Sequence, residues 1–208
     1  MIFHDIEQNT DEWFDLRVGK ITGSAVQKIM ANEGKAFGDP AKDYAVKIAL
    51  ERITGESKGE SYSNAHMERG HEQEPLARME YENEYFCNVS NGGFFDCGNE
   101  GCSPDGLVGS VGVIEIKSVI FSVHYKNVKR NDVMPTYKWQ NYFNLQKTGR
   151  EWIDLISYCQ EYPIGRKLFV HRTYAKDCQD EFARMDARIA DFEKLIEIST
   201  NNIMGITP

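Results

Sequence analysis

The chain has 208 residues, 41% hydrophobic and 12% aromatic, enough apolar mass for one globular domain over residues 1–208 with a sizeable core. It lacks an apolar run of about 18 residues that would span a membrane, and its N-terminus, Met-Ile-Phe-His-Asp-Ile-Glu, lacks the basic and apolar regions of a secretory signal; a cytoplasmic location is expected. A net charge of −8 argues against a protein that coats nucleic acid electrostatically, but leaves room for an enzyme with a local basic channel.

The elements can be read in chain order. Thr22-Gly23-Ser24 before an apolar-periodic run marks a helix N-terminus. Asp39-Pro40 opens a second helix, with Asp39 as N-cap, running through Tyr44, Ile48 and Leu50 to Gly55. A polar loop, 55–64, precedes a helix expected over Glu72–Tyr85, with Pro75 in its first turn or at a kink. Strand-like material follows at Phe94–Cys97 and in a hairpin over Leu107–Val119. A helix from Pro135 to about Lys147 ends at Thr148-Gly149, and two strands cover Trp152–Tyr158 and Leu168–Tyr174. The chain closes on a long amphipathic helix, with Phe182, Met185, Ile189, Phe192 and Ile196 at spacings of three and four. This order predicts an α/β architecture, a mixed central sheet flanked by helices. The cysteines number five, an odd count with no Cys-x-x-Cys. That points to free thiols in a reducing compartment rather than to a four-ligand iron–sulfur cluster.

The most informative stretch is Gly101-Cys102-Ser103-Pro104-Asp105-Gly106-Leu107, followed by Ile114-Glu115-Ile116-Lys117. It reads as a strand ending in Asp105, a turn, and a second strand. On that strand Glu115 and Lys117 share one face while Ile114 and Ile116 face a core. Two carboxylates hold a hard cation such as Mg²⁺. The cation polarises a phosphate and acidifies a bound water, and a lysine orients that water or offsets developing charge. Alone, the pattern is loose, since surface strands often carry Glu and Lys on a solvated face. Upstream, Gly70-His71-Glu72-Gln73-Glu74-Pro75 is rich in carboxylates. A solvated helix explains most of them, and Glu74 is the candidate third ligand. Near the N-terminus, Arg17 followed by Thr22-Gly23-Ser24 offers a guanidinium fork and helix N–H groups to a phosphate. A capped helix with an incidental arginine is the competing reading.

Taken together, Trp13-x₃-Arg17-x-Gly19-x-Ile21-Thr22-x-Ser24, Gly70-x₃-Glu74, Ser103-Pro104-Asp105-Gly106-Leu107, Glu115-x-Lys117 and Gln140 resemble the phage lambda exonuclease family, the YqaJ-type viral recombinases. The motifs lie in the family's order over residues 13 to 146; the C-terminal third is less diagnostic. The resemblance implies a restriction-endonuclease-like fold of the PD-(D/E)xK superfamily. It implies a Mg²⁺-dependent exonuclease, with Mn²⁺ as a substitute, that degrades one strand of linear duplex DNA from its 5′ end. In that reading Asp105, Glu115, Glu74 and the Ile116 carbonyl hold the metal, and Lys117 is the catalytic lysine. Arg17, Thr22, Ser24, Ser103 and Gln140 are assigned to the 5′-phosphate and DNA. Tyr142 stands where the family often has a second glutamine. A ring-shaped homotrimer, a single-strand annealing partner and a phage or prophage origin are implied as well, with Lys126, Lys129 and Arg130 as candidate DNA-backbone contacts. A related endonuclease, a RecB-like module or an inactive DNA-binding subunit are the alternatives.

Overall fold

The computed structural model describes residues 1–58 and 65–206. The first part runs β1 (Ile2–His4), α1 (Asp11–Arg17), β2 (Ile21–Thr22), α2 (Gly23–Met30), α3 (Asp39–Thr54) and α4 (Ala65–Tyr85). Then come β3 (Val89–Ser90), β4 (Phe94–Asp96), β5 (Glu100–Cys102), β6 (Gly106–Val108) and β7 (Gly112–Ser118). The last part adds α5 (Phe121–Arg130), α6 (Lys138–Thr148), β8 (Trp152–Tyr158), β9 (Leu168–Tyr174) and α7 (Gln179–Met204).

The mixed sheet expected at the centre has the order β3-β6-β7-β8-β9. Its middle pair, β7 and β8, is parallel, with Glu115 opposite Leu155 and Lys117 opposite Ser157; its other pairs are antiparallel. A second sheet, β1-β4-β5-β2, takes in the strand expected at Phe94–Cys97 as β4; that it forms a sheet of its own was not expected, because its strands of two or three residues carry too little pattern to show their partners. Asp105 does not end a strand. It immediately precedes β6, whose Gly106 pairs with Ile114, so the acid sits at the start of the hairpin.

Helices cover both faces. The α7 stripe Phe182, Met185, Ile189, Phe192 and Ile196 is buried, packing with α2, α3 and α6 into the larger core. On the opposite face Ala77 and Tyr81 of α4 pack with Ile114, Ile116, Ile156 and Tyr158. This packing explains why α4 starts at Ala65, earlier than expected, and holds Pro75 in its interior: buried contacts further along offset the backbone bond that proline cannot make. Residues 59–64 of the expected polar loop lie outside the described residues. In α3 the cap is Gly38, and Asp39 is already helical, its carboxylate accepting from Lys42 Nζ at 3.2 Å. The helix expected from Pro135 divides into a 3₁₀ turn, Pro135–Tyr137, and α6, which stops at left-handed Gly149.

Beneath the sheet a buried polar cluster ties α4 to β8 and β9. Tyr81 Oη donates to Asp154 Oδ2 at 2.6 Å. Arg172 donates to both Asp154 oxygens, at 2.7 and 2.8 Å. With Asp154 fully buried, such a paired network fixes the angle at which α4 crosses the sheet.

Candidate active site

The hairpin sets the first carboxylate. Asp105 N donates to the Ile114 carbonyl at 3.1 Å, and Asp105 Oδ2 accepts from Ile116 N at 2.5 Å. The acid is thereby held across the β7 backbone, one residue from Glu115. Glu115 is buried, and three donors hold its carboxylate. Its Oε1 accepts from Lys117 Nζ at 2.6 Å and Gln140 Nε2 at 2.7 Å; its Oε2 accepts from Asn144 Nδ2 at 2.8 Å. Gln140 and Asn144 are one turn apart on α6, so a single helical face grips both oxygens. Lys117 Nζ also lies 4.8 Å from the centre of the Tyr137 ring.

From the other side, α4 brings Glu74 and Arg78. They face each other one turn apart, at 3.8 Å, and Arg78 Nη2 donates to the Asp105 carbonyl. Glu72, by contrast, is exposed.

The charges are strained by burial. Burial pushes Glu115 up to about 7, with repulsion from Asp105 adding to the effect. Burial likewise lifts Asp105 to about 6, against the pull of Lys117 and with Glu74 adding repulsion. Glu74 is raised as well, by burial first and then, against Arg78, by Glu115. Burial pulls Lys117 down, but Glu115 and Asp105 outweigh it and the ammonium ends above its ordinary value. The group therefore remains a cation and a donor.

These residues line a cleft of about 900 Å³ that also takes in Trp13, Arg17, Gly23, Ser24 and Ser103. Arg17 projects from the end of α1 with its guanidinium 4.0 Å from the centre of the Trp13 ring, and Trp13 Nε1 donates to Ser103 Oγ at 2.7 Å. Burial lowers the Arg17 pKa, and among the described residues it has no ion-pair partner. The turn after Arg17 depends on Gly19, which is left-handed (φ +70°) and whose added Cβ would lie 2.9 Å from Arg52 Cγ. Arg52 Nε donates to the Gly19 carbonyl at 2.8 Å, and Gly19 N to buried Glu51 at 3.0 Å. Thr22 does not line the cleft: it is buried at the start of α2, where its N–H donates to Tyr44 Oη at 3.1 Å. Ser24 is exposed to the cleft at the same helix N-terminus.

Two cleft residues carried no sequence signal read as functional, Arg78 behind Asp105 and Asn144 behind Glu115; Trp13 stood in the family motif, but its bridge between Arg17 and Ser103 was not read from it. The four-residue spacings Glu74–Arg78 and Gln140–Asn144 were visible; their partners across the fold were not.

Among the described residues no group of three or more His, Cys, Asp or Glu side chains is gathered tightly enough to cage a metal ion. Mg²⁺ does not need such a cage, because it is commonly bound by one or two carboxylates, with waters and substrate phosphate completing its shell. The Asp105–Glu115 pair, oxygen donors with raised pKa values facing an open cleft, fits that donor set.

Residues 12–151 match the YqaJ-like viral recombinase domain family, a span that contains every cleft residue named above. The chain belongs to this family. Its structure is similar to that of an alkaline exonuclease from Laribacter hongkongensis, with 32% sequence identity, a TM-score of 0.78, and coverage of 95% of this chain and all of that one. The same exonuclease in complex with dAMP matches equally well. A phage-related exonuclease from Haemophilus somnus 129PT shares the fold at 13% identity and a TM-score of 0.67, over 90% of this chain and 96% of that one. Among curated proteins no relative matches the chain significantly. As for membranes, no helix among the described residues is long and apolar enough to cross one.

Proposed function

We propose that this YqaJ-family chain is a Mg²⁺-dependent exonuclease that degrades one strand of linear duplex DNA from a 5′-phosphorylated end, leaving a 3′ overhang. The observation that carries this reading is the pairing, in one cleft, of a charge-strained Asp105–Glu115 pair with a partly desolvated arginine, Arg17, that has no ion-pair partner among the described residues. The carboxylates suit a hard cation, and Arg17 suits an anion. The nearest end of a nucleic acid offers both a scissile diester and a terminal phosphate.

Asp105 and Glu115 would hold the metal, with Glu74 and the Ile116 carbonyl as further oxygen ligands. Bound there, Mg²⁺ (or Mn²⁺ in its place) supplies phosphate polarisation and an acidified water. Lys117, whose Nζ donates to Glu115 Oε1 at 2.6 Å, is placed to donate to the attacking water or to the phosphate oxygens as charge develops. Gln140 and Asn144 keep the Glu115 carboxylate in one orientation. Arg17, Ser24 and Ser103 hold the end phosphate through charge-assisted and hydroxyl bonds. Trp13 orients two of these by stacking under Arg17 and donating to Ser103. Gln140, bound to Glu115, serves the carboxylate first and DNA second.

The family resemblance further supports a homotrimeric ring, a single-strand annealing partner for the 3′ strand and a role in phage recombination. An acidic protomer, −8 overall, attracts duplex weakly, and a closed ring retains DNA without tight binding.

The test compares linear duplex carrying 5′-phosphate, linear duplex carrying 5′-hydroxyl and closed circular duplex, each with Mg²⁺ or EDTA. Digestion of the phosphorylated linear DNA alone, only with Mg²⁺, and with release of 5′-mononucleotides, is the expected result. Cutting of the closed circle would replace this reading with an endonuclease.

A further inference from the structure

We infer that α5 presents a binding platform for single-stranded DNA beside the cleft, built from Phe121 and Tyr125 with Lys126, Lys129 and Arg130. The inference rests on reading the chain as a DNA exonuclease.

The helix is inverted. Its buried residues are polar: His124 is 0% and Asn127 is 4% exposed. Both are anchored to the sheet. His124 Nδ1 pairs with Ser157 Oγ at 3.0 Å and Nε2 with the Arg166 carbonyl at 3.2 Å, while Asn127 Nδ2 donates to Ser157 Oγ at 3.0 Å. Its aromatic residues point outward instead, Phe121 at 59% and Tyr125 at 60% exposure, with Val128 at 45% on the same stripe. A helix of this kind forgoes the usual gain from burying its apolar side. A contiguous exposed apolar stripe marks a contact surface.

The chemistry of its flank says what it contacts. At 100° per residue, Lys129, Lys126 and Arg130 follow directly around the helix from Tyr125. The helix sequence, Phe-Ser-Val-His-Tyr-Lys-Asn-Val-Lys-Arg, holds no carboxylate. None of the three cations has an ion-pair partner among the described residues. Rings that accept stacked bases beside cations that track phosphates are the elements of single-strand recognition, and stacking is tolerant of sequence. A second copy in a two-fold contact would set like charges against one another.

Position completes the case. Phe121 follows Lys117 by four residues, so their Cα atoms are at most about 14 Å apart. This puts the start of α5 within reach of a strand freed at the cleft.

The probe is a 20-residue oligothymidylate, fluorescein-labelled at its 5′ end so that no terminal phosphate is offered to Arg17. Anisotropy in EDTA reads binding without cleavage. Tyr125→Ala with Phe121→Ala should raise Kd at least tenfold, and Tyr125→Trp should leave it within twofold of wild type. Lys126→Gln, Lys129→Gln and Arg130→Gln, changes at exposed positions that spare the fold, should together flatten the log Kd against log salt slope by about 2, since each single-strand phosphate contact contributes about 0.7. Kd unchanged within twofold in both sets overturns the proposal. So does unchanged Kd with a changed sedimentation coefficient, which would make α5 a contact between copies. A wild type that binds the oligomer through α5 yet digests no duplex would instead remove the exonuclease reading and leave the platform standing.

Discussion

Asn144 holds Glu115: its Nδ2 donates to Glu115 Oε2 at 2.8 Å, with both side chains buried. Its own Oδ1 is pressed toward Gly23, where an added Cβ would lie at 2.4 Å. So the helix that presents Ser24 to the cleft and the helix that grips the metal-site carboxylate meet at one amide. A side chain at position 23 would disturb both.

Asn144→Ala removes one donor from a buried carboxylate, which favours its neutral form. Glu115 already sits near 7 because of burial and Asp105. A hydrogen bond to a charged group contributes about 1.5–3 kcal/mol, and about 1.4 kcal/mol is one pKa unit. The acid limb of Mg²⁺ affinity against pH, where protons compete with the metal for Glu115, should therefore move up by about one unit, with affinity at pH 8 reduced less than at pH 6.5. Gly23→Ala should show the same displacement. An acid limb identical to that of the wild type would mean that Asn144 only fills space.

Asp105→Asn should stop cleavage and yet stabilise the metal-free protein above neutrality. The folded pKa, about 6, lies above the unfolded value. In the metal-free fold the acid thus binds a proton more readily than the unfolded chain does. Stability is then highest at low pH and falls as pH rises from about 4 through 6. Asparagine keeps an oxygen for Ile116 N–H and carries no charge. At pH 8 in EDTA the variant should be more stable by on the order of 1 kcal/mol, discounted for the side of Asp105 open to the cleft. The difference should vanish by pH 4. Mg²⁺ should raise the melting temperature of the wild type at pH 8 and not that of the variant. Urea melts at both pH values decide it, and a variant less stable than wild type at pH 8 contradicts the assignment. Lys117→Ala should also end cleavage.

Legibility in the sequence followed the range of the interaction. The α7 stripe and the shared face of Glu115 and Lys117 could be read because side-chain period and element period coincide. The α4 start could not, because Pro75 and a polar surface hide a helix that Ala77 and Tyr81 hold in place by tertiary packing. α5 was invisible as an element for the reason that makes it interesting: its apolar residues face outward, so no core-facing period marks it. Asp105 was legible as an acid beside a turn, but its place before β6 depends on the pairing of Gly106 with Ile114. Gln140 and Asn144 show their common helical face in the sequence; nothing local reveals that the face is turned to Glu115, some 25 residues earlier in the chain.

Glu74 and Glu72 separate the helix-borne ligand from a solvated neighbour. Glu74 lines the cleft, pairs with Arg78 and is raised by burial and by Glu115, whereas Glu72 is exposed. Glu74→Gln should raise the Mg²⁺ concentration for half-maximal cleavage at least tenfold, and Glu72→Gln should leave it within twofold. Arg78→Lys should fall between them. Lysine keeps a charge near Glu74 but loses the planar fork that also reaches the Asp105 carbonyl. Equal responses at positions 72 and 74 would place the ligand elsewhere.

The preference for a phosphorylated end should depend on Arg17. Its guanidinium lies against Trp13, partly desolvated and without an ion pair among the described residues. Charge-assisted bonds to a terminal phosphate contribute on the order of 1.5–3 kcal/mol. Arg17→Ala should therefore narrow the rate gap between 5′-phosphate and 5′-hydroxyl ends at least tenfold, mainly by slowing the phosphorylated substrate. Trp13→Phe keeps a ring under the guanidinium but leaves Ser103 Oγ without its N–H donor. It should narrow the gap less than Arg17→Ala does, because the cation stays in place. Steady-state digestion of matched duplexes that differ only at the 5′ end measures both. If Arg17→Ala slows the two substrates equally, the arginine is a general backbone contact, and the end-reading group must be found among the other cleft residues, with Arg78 the next cation to test.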